Sequence, residues 1–249
     1  MQANPVIETL LNHRSIRKFK NKPLTEDQIN LLVRSAQAAS TSSFTQSYSI
    51  IGVDDPEIKK QLRIIADNNQ MYVEENGCFF VFVADQYRNK QIGEKQGADT
   101  SILDTTQRLI VALGDASFAA QNMAVAAESM GLGICFIGSI QNDIDKTAAL
   151  LGLPEGTFPF FGLAVGYPDQ RPEQKPRLPL EVIFHKNTYK KDIPEKMMDT
   201  YDQKVRTYYK TRTDNRRDDT WTAEIARGLS APARMRLKPF LEKQQLGRR

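Results

Sequence analysis

Residues 106–130, TQRLIVALGDASFAAQNMAVAAESM, are the stretch that decides the fold. Only three of these residues are charged, and alanine is the most frequent. The composition predicts a long helix that is apolar nearly all round, ended by Gly131. Such a helix belongs either in the middle of the molecule or at a subunit interface, where small side chains permit close approach. Both placements stay open at the level of sequence.

Apolar runs of strand length alternate with helical segments on both sides of this stretch. Residues 78–84, CFFVFVA, form a continuous apolar run, which is typical of a central strand buried on both faces. A capping box at Thr25 and Gln28 predicts a helix that reaches Ala39. The other predicted helices are 5–12, 56–66 and 143–151, and the other predicted strands are 47–53, 134–137 and 160–165. This alternation predicts an α+β layered fold around one sheet, whose strand order does not follow from the pattern.

The last third of the chain differs in composition from the rest. Residues 169–179 are rich in proline and charge, which predicts a surface loop. Polar helices are expected from Pro194 to about Tyr209 and near Trp221 and Lys238, with too few apolar residues for a core of their own. We therefore predict a single domain, 1–249, with a core of about 1–170 and a helical excursion of about 180–249 that wraps it.

Charge and cysteine content limit the class of protein. The net charge is only +4, because 34 Lys and Arg are interleaved with 30 Asp and Glu. The basic stretches are short and well separated, which favours small anion contacts over a nucleic-acid surface. Cys78 and Cys135 lie in apolar runs and are expected to be small buried hydrophobes. With no signal-like start and no run of about 20 apolar residues, we expect a cytoplasmic protein without a membrane partner.

Most ordinary catalytic patterns are missing from the sequence. Two histidines and no Cys-x-x-Cys or His-Glu-x-x-His pattern argue against a metal site. A Gly-x-Ser-x-Gly elbow and a phosphate-binding P-loop are also missing, and Gly131-Leu-Gly133 enters a strand, the reverse of the dinucleotide-binding order. A nucleotide phosphate would therefore have to be held by side chains.

The segment His13-Arg-Ser-Ile-Arg17 offers such side chains. Guanidinium groups, a hydroxyl and an imidazole suit a dianionic phosphate, because charge-assisted hydrogen bonds are the strong ones. In an extended segment His13, Ser15 and Arg17 share one face and Arg14 takes the other. On composition alone, a basic edge strand in solvent is the favoured explanation of the segment.

Several stretches in the same order resemble the oxygen-insensitive NADPH nitroreductase and flavin reductase P family. The match covers essentially the whole chain. The similar stretches are His13-Arg-Ser-Ile-Arg-Lys-Phe19, Ser40-Thr-Ser-Ser-Phe-Thr-Gln46, Asn69-Gln70-Met71-Tyr72, Phe136-Ile-Gly138, Lys175-Pro-Arg177-Leu-Pro179, and Trp221 with Lys238-Pro-Phe-Leu241. The resemblance implies a nitroreductase-like fold with a central, mainly antiparallel sheet flanked by helices, and a homodimer.

The resemblance also implies FMN as cofactor and NADPH, or NADH, as electron donor. Its implied FMN phosphate ligands are His13, Arg14, Ser15, Lys175 and Arg177. Contacts to the flavin ring would come from Arg17, Gln70, Tyr72, Gly138 and Ser139. Ser40 and Ser42, from the partner subunit, would contact the phosphate or the ribityl chain. The implied dinucleotide ligands are Asn142, Arg212 and Lys238.

The activity that the resemblance implies is ping-pong, two-electron reduction of nitroaromatics, quinones, azo compounds or free flavin, carried by flavin N5 without a catalytic side chain. Two departures weaken the match: Ser139 replaces a second glycine, and Lys238 replaces an arginine, which leaves the preference for NADPH open. A flavin storage or sensor protein with little turnover is the alternative, and a nucleic-acid-binding role for residues 212–217 is a third.

Overall fold

The computed structural model describes residues 4–192 and 194–249. Its strands are β1 (Tyr48–Val53), β2 (Cys78–Asp85), β3 (Gly133–Ile137) and β4 (Thr157–Gly166). Its helices are α1 (Pro5–Leu11), α2 (Glu26–Gln37), α3 (Pro56–Ala66), α4 (Tyr87–Lys95), α5 (Thr106–Ser129), α6 (Ile144–Leu150), α7 (Leu180–Ile183), α8 (Glu195–Thr211), α9 (Trp221–Leu229) and α10 (Leu237–Lys243).

The strands pair in one antiparallel sheet in the order β1-β2-β4-β3. Every residue of β2 is buried, as its continuous apolar run predicts, because β2 is an inner strand covered on both faces. Helices pack on the sheet, so the predicted α+β class is confirmed. The two cysteines are free and buried, which confirms their interpretation as small core residues.

Helix α5 lies against the sheet along one face and leaves another face open. Its buried residues, mostly alanines, pack on β2 and the neighbouring strands. Ile110 and Phe118 on the opposite side are 63% and 58% exposed. By length and composition alone α5 could cross a bilayer, but its alanine-rich face fills the protein core instead. The helix is therefore half covered within one chain.

Local signals set most helix boundaries. The Thr25 hydroxyl accepts from the Gln28 N–H, and the Gln28 side chain accepts from the Thr25 N–H, which confirms the capping box. The predicted bounds of α3 are the observed ones. Helix α4 was not predicted, and it buries no residue, so it lacks the apolar stripe by which a helix is found in sequence.

The chain divides into two compact units. The first contains the chain up to Gln170 together with Arg234–Arg249, and its core includes Phe240 and Leu246 from the end of the chain. The second, 171–233, has a small core of Tyr201, Val205 and Tyr209. The predicted loop at 169–179 contains no helix or regular strand. That the chain forms one domain, with residues of about 180–249 wrapping its core, remains a prediction.

Candidate functional site

The His13–Arg17 segment lies beside strand β3 in extended form. Ser15 forms a parallel bridge with Ile134, and the Ile16 N–H donates to the Ile134 carbonyl at 2.8 Å. The Ile16 side chain is buried over Gly133, where a Cβ would lie 2.6 Å from Ile16 Cγ1. The buried Ile16 thus fixes the register of the basic segment against β3, and polar side chains lie on both sides of Ile16 in the sequence.

The polar side chains of this segment have different surroundings. His13 Nδ1 lies 2.8 Å from Glu128 Oε1, in the last turn of α5. Arg14 Nε is buried and has no hydrogen-bond partner within the described chain. Arg17 is exposed and lies close to Tyr72. Burial raises the pKa of Tyr72, and the charge of Arg17 and its hydrogen bond to the phenol partly offset that rise.

Buried hydrogen bonds stabilise the turn that carries Gln70 and Tyr72. The buried Lys59 ammonium donates to the Asn76 carbonyl at 2.8 Å. The Asn76 amide in turn donates to the carbonyls of Tyr72 and Val73 at 3.0 and 2.9 Å. Burial lowers the pKa of Lys59. This buried network fixes the backbone from which the Tyr72 side chain extends.

Residues at the end of β3 meet the same turn. The Ser139 hydroxyl donates to Gln70 Oε1 at 2.9 Å. Gly138 precedes Ser139 and has ordinary backbone angles, φ −81° and ψ −14°. A Cβ on Gly138 would meet nothing within 4 Å, so this glycine faces open space. Of the predicted site residues, Arg17 and Tyr72 form one contact pair, and Gln70 and Ser139 form a second.

The Asn142 side chain makes two hydrogen bonds within the chain. Its amide N–H group donates to the Ala66 carbonyl, and its Oδ1 accepts from Arg234 Nε at 3.1 Å. Lys238 is exposed on α10. Arg234 lies 92 positions after Asn142 and follows no recognisable motif, so nothing in the sequence singled it out. The structure adds Arg234 to the candidate residues.

Ser40 and Ser42 lie far from His13 within one chain. The Ser42 N–H donates to Asp115 Oδ1 at 2.9 Å, whereas His13 contacts Glu128. Asp115 and Glu128 are thirteen positions apart on α5, which separates them by about 20 Å along the helix axis. The serine loop also leads into β1, at the edge of the sheet opposite β3. One chain does not bring the two sets together.

Lys175, Arg177 and Arg212 belong to the second unit. Lys175 Nζ lies 5.5 Å from the centre of the Tyr209 ring, and the Arg212 guanidinium lies 4.7 Å from it. Arg177 is exposed beside Tyr201, whose pKa is raised by burial and lowered in part by this cation. The unit therefore gathers cations predicted for the flavin phosphate and for the dinucleotide. Convergence of these cations with His13, Arg14 and Ser15 stays a prediction.

Comparison with known proteins finds two family models that together match most of the chain. Residues 10–167 match the model of the nitroreductase family, and residues 175–249 match the model of its C-terminal domain. The chain belongs to the nitroreductase family.

Several members of the nitroreductase family are similar along the whole chain. The FMN reductase (NADPH) of Bacillus subtilis is 48% identical, over 97% of this chain and 98% of that protein. The structure of a B. subtilis nitroreductase has a TM-score of 0.93 at 47% identity, covering 98% of this chain and 100% of that one. For the NADPH:FMN oxidoreductase of Vibrio harveyi complexed with NAD+, the TM-score is 0.88 at 38% identity, with 99% and 100% coverage.

The described part of the chain offers no candidate metal site. Across residues 4–192 and 194–249, no three His, Cys, Asp or Glu side chains are arranged to hold an ion. Besides Arg234, the structure draws attention to Glu128 and Asp115, two carboxylates on α5 that contact predicted site segments. The only feature by which the sequence could have singled them out is a charged side chain in an otherwise apolar helix.

Proposed function

We propose that this nitroreductase-family protein is a cytoplasmic, FMN-dependent NADPH oxidoreductase that works as a homodimer. The observation that carries the proposal is the pair of contacts Arg17–Tyr72 and Gln70–Ser139, which joins three distant stretches of chain around the end of β3. The proposed acceptors are nitroaromatics, quinones, azo compounds and free flavin. The names of the relatives, FMN reductase (NADPH) and NADPH:FMN oxidoreductase, support this class of activity.

The residues present fit FMN in two respects. Arg14 Nε is a buried donor with no hydrogen-bond partner among residues 4–192 and 194–249, which suits a phosphate oxygen. The open space at Gly138 would admit a ring edge close to the backbone, and any side chain there would fill part of it. When bound, FMN supplies a ring that accepts two electrons as hydride from the nicotinamide and delivers them to the acceptor.

The chain's own groups would bind and orient the flavin. His13, Arg14 and Ser15 would hold its phosphate, together with Lys175 and Arg177. Arg17 would lie at the pyrimidine side, where a fixed cation stabilises the negative charge that develops on reduction. A larger set would line the ring and its ribityl chain, namely Gln70, Tyr72, Gly138, Ser139 and, from the partner subunit, Ser40 and Ser42.

Dimerisation is supported by two observations. The separation of about 20 Å along α5 between the contacts of Ser42 and His13 requires a second copy if both are to reach one flavin. The open face of α5, with Ile110 and Phe118, is an apolar surface of the kind that subunits cover. Asn142, Arg212 and Lys238 remain the proposed ligands of the dinucleotide, with Arg234 orienting Asn142.

The visible spectrum of the purified protein tests this function. We expect a yellow protein that binds FMN and loses its absorbance near 450 nm within seconds of adding NADPH without oxygen. Comparing NADPH with NADH measures the donor preference. A yellow protein that does not bleach would identify a flavin storage or sensor protein, and a colourless protein that refuses added FMN would contradict the whole assignment.

A further inference from the structure

The His13–Glu128 contact joins a proposed phosphate ligand to the last turn of α5. The two atoms, Nδ1 and Oε1, are 2.8 Å apart, and the side chains are 29% and 15% exposed. The residues are 115 positions apart, so the pair results from tertiary packing and from no local motif. None of the side-chain roles proposed above makes use of Glu128.

The contact restricts how protons can be placed on the imidazole ring. An ionised carboxylate only accepts hydrogen bonds, so Nδ1 must carry the hydrogen that points to Glu128. In a neutral ring Nε2 would then be an acceptor, and a phosphate oxygen is an acceptor as well. His13 can therefore donate to Glu128 and to a dianionic phosphate together only when both of its nitrogens are protonated.

We infer that Glu128 is a positioning residue that makes FMN binding depend on a proton held by His13. The inference rests on the proposed function, since it takes the phosphate of FMN as the second partner of His13. The carboxylate and the phosphate flank the ring as two anions, and the proton on the ring links them. FMN binding then takes up a proton wherever free His13 is neutral.

Other charges near His13 do not replace Glu128. Its own segment contributes the cations Arg14 and Arg17, which oppose a further positive charge. Of the elements next to this segment, α1 carries Glu8 and β3 carries the buried thiol of Cys135. Within the described residues, Glu128 on α5 is the carboxylate that pairs with His13.

The first experiment follows FMN affinity with pH. Full-length protein stripped of flavin is titrated with FMN between pH 6 and 9, and the quenching of flavin fluorescence gives Kd. His13→Gln is the reference, because the ratio of the two Kd values cancels protonation of the FMN phosphate itself. We expect the wild-type Kd to rise with pH relative to this variant, approaching about tenfold per pH unit. Equal slopes for the two proteins would overturn the inference.

The second experiment changes the partner. The Glu128→Gln amide can donate to Nδ1, so a neutral ring keeps its hydrogen on Nε2 and can still donate to phosphate. We therefore expect E128Q to flatten the pH dependence of Kd. A merely structural role would shift Kd by the same factor at every pH and leave the slope unchanged. Glu8→Gln, which removes one charge from exposed α1, is the matched control and should keep the wild-type slope.

Calorimetry gives a readout that does not depend on the Glu128 variant. Titrating FMN at pH 8 in two buffers of different ionisation enthalpy counts the protons taken up per FMN bound. We expect uptake to be greater for the wild type than for His13→Gln by an amount approaching one proton. Equal uptake would refute the coupling while leaving FMN binding intact, whereas failure of the wild type to bind FMN at all would refute the proposed function.

Discussion

Two glycines five positions apart illustrate how differently a missing side chain can act. At Gly133 a Cβ would collide with Ile16, at 2.6 Å from Cγ1, so this glycine serves the packing of the phosphate segment. At Gly138 a Cβ would meet nothing within 4 Å, and the backbone angles suit any residue. Packing within the protein therefore requires a glycine at position 133. At position 138 the protein itself would accept a side chain, so any requirement for glycine must come from a ligand in the open space.

Gly138→Ala separates stability from function. We expect its free energy of unfolding in urea to stay within about 0.5 kcal/mol of the wild type, because the methyl group has room. We expect slower reduction of bound FMN by NADPH, since the methyl group occupies the approach to the ring. Gly133→Ala is the contrasting control and should lose roughly 1–3 kcal/mol through overpacking. Wild-type reduction kinetics in G138A would argue against a flavin edge at this position.

At the scale of elements, Tyr209 ties α8 to α9 in the second unit. Its hydroxyl donates to Glu224 Oε2 at 2.6 Å, and the Arg217 guanidinium lies 3.9 Å from the ring centre. Burial first, and then the bond to Glu224, raise the pKa of Tyr209 to about 12. The same contact and nearby cations hold the pKa of Glu224 below its usual range.

This packing predicts alkaline sensitivity of the second unit. A pKa raised above the unfolded value of 10.0 gives stability that is present below pH 10 and lost as the pH rises toward 12. The loss should be on the order of 2–3 kcal/mol. Trp221, the single tryptophan, lies on α9 and reports unfolding of this unit by its fluorescence.

Tyr209→Phe should remove most of this pH dependence, because phenylalanine has no proton to lose, although it also loses the bond to Glu224. Tyr189→Phe alters a side chain that is 79% exposed and should behave as the wild type. Equal loss of stability above pH 10 in all three proteins would show that the Tyr209 hydroxyl is not its source.

The open face of α5 predicts the effect of charge on assembly. Replacing Ile110 and Phe118 by Glu should convert the proposed dimer into monomers, because covering the face would bury unpaired carboxylates. Light scattering after size exclusion measures the change. Glu at Gln91 and Gln96 adds the same charge at exposed polar positions in and after α4, and should leave the dimer intact. A dimeric I110E/F118E protein would locate the interface elsewhere.

At the scale of the whole molecule, the prediction under test is that Lys175 and Arg177 hold the FMN phosphate. Lys175→Ala combined with Arg177→Ala should weaken FMN retention by roughly a hundredfold or more, since a hydrogen bond to a charged group contributes about 1.5–3 kcal/mol. Lys190→Ala with Lys191→Ala removes two exposed cations from the same unit and should retain FMN. Full FMN occupancy of K175A/R177A after dialysis would remove these residues from the site.

The fold was largely predictable from sequence because its signals are local. Apolar spacing, proline and capping residues act within one or two turns, so α3 and β2 emerge close to their observed bounds. Helix α4 was not predicted because none of its residues is buried. A helix without an apolar stripe has no helical period of hydrophobicity in its sequence. The candidate residues came from family motifs, whose residue types already specify an anion and a polar ring edge.

Only the tertiary structure decided which of those residues meet. Glu128 pairs with His13 across 115 positions and Arg234 with Asn142 across 92, and no local pattern connects partners so far apart in sequence. Strand order and the half-covered state of α5 also depend on the sum of many packing contacts. By itself the sequence determined the approximate place of most elements and the chemistry they carry, because those depend on neighbours in the chain. The pairings within the site depend on neighbours in space.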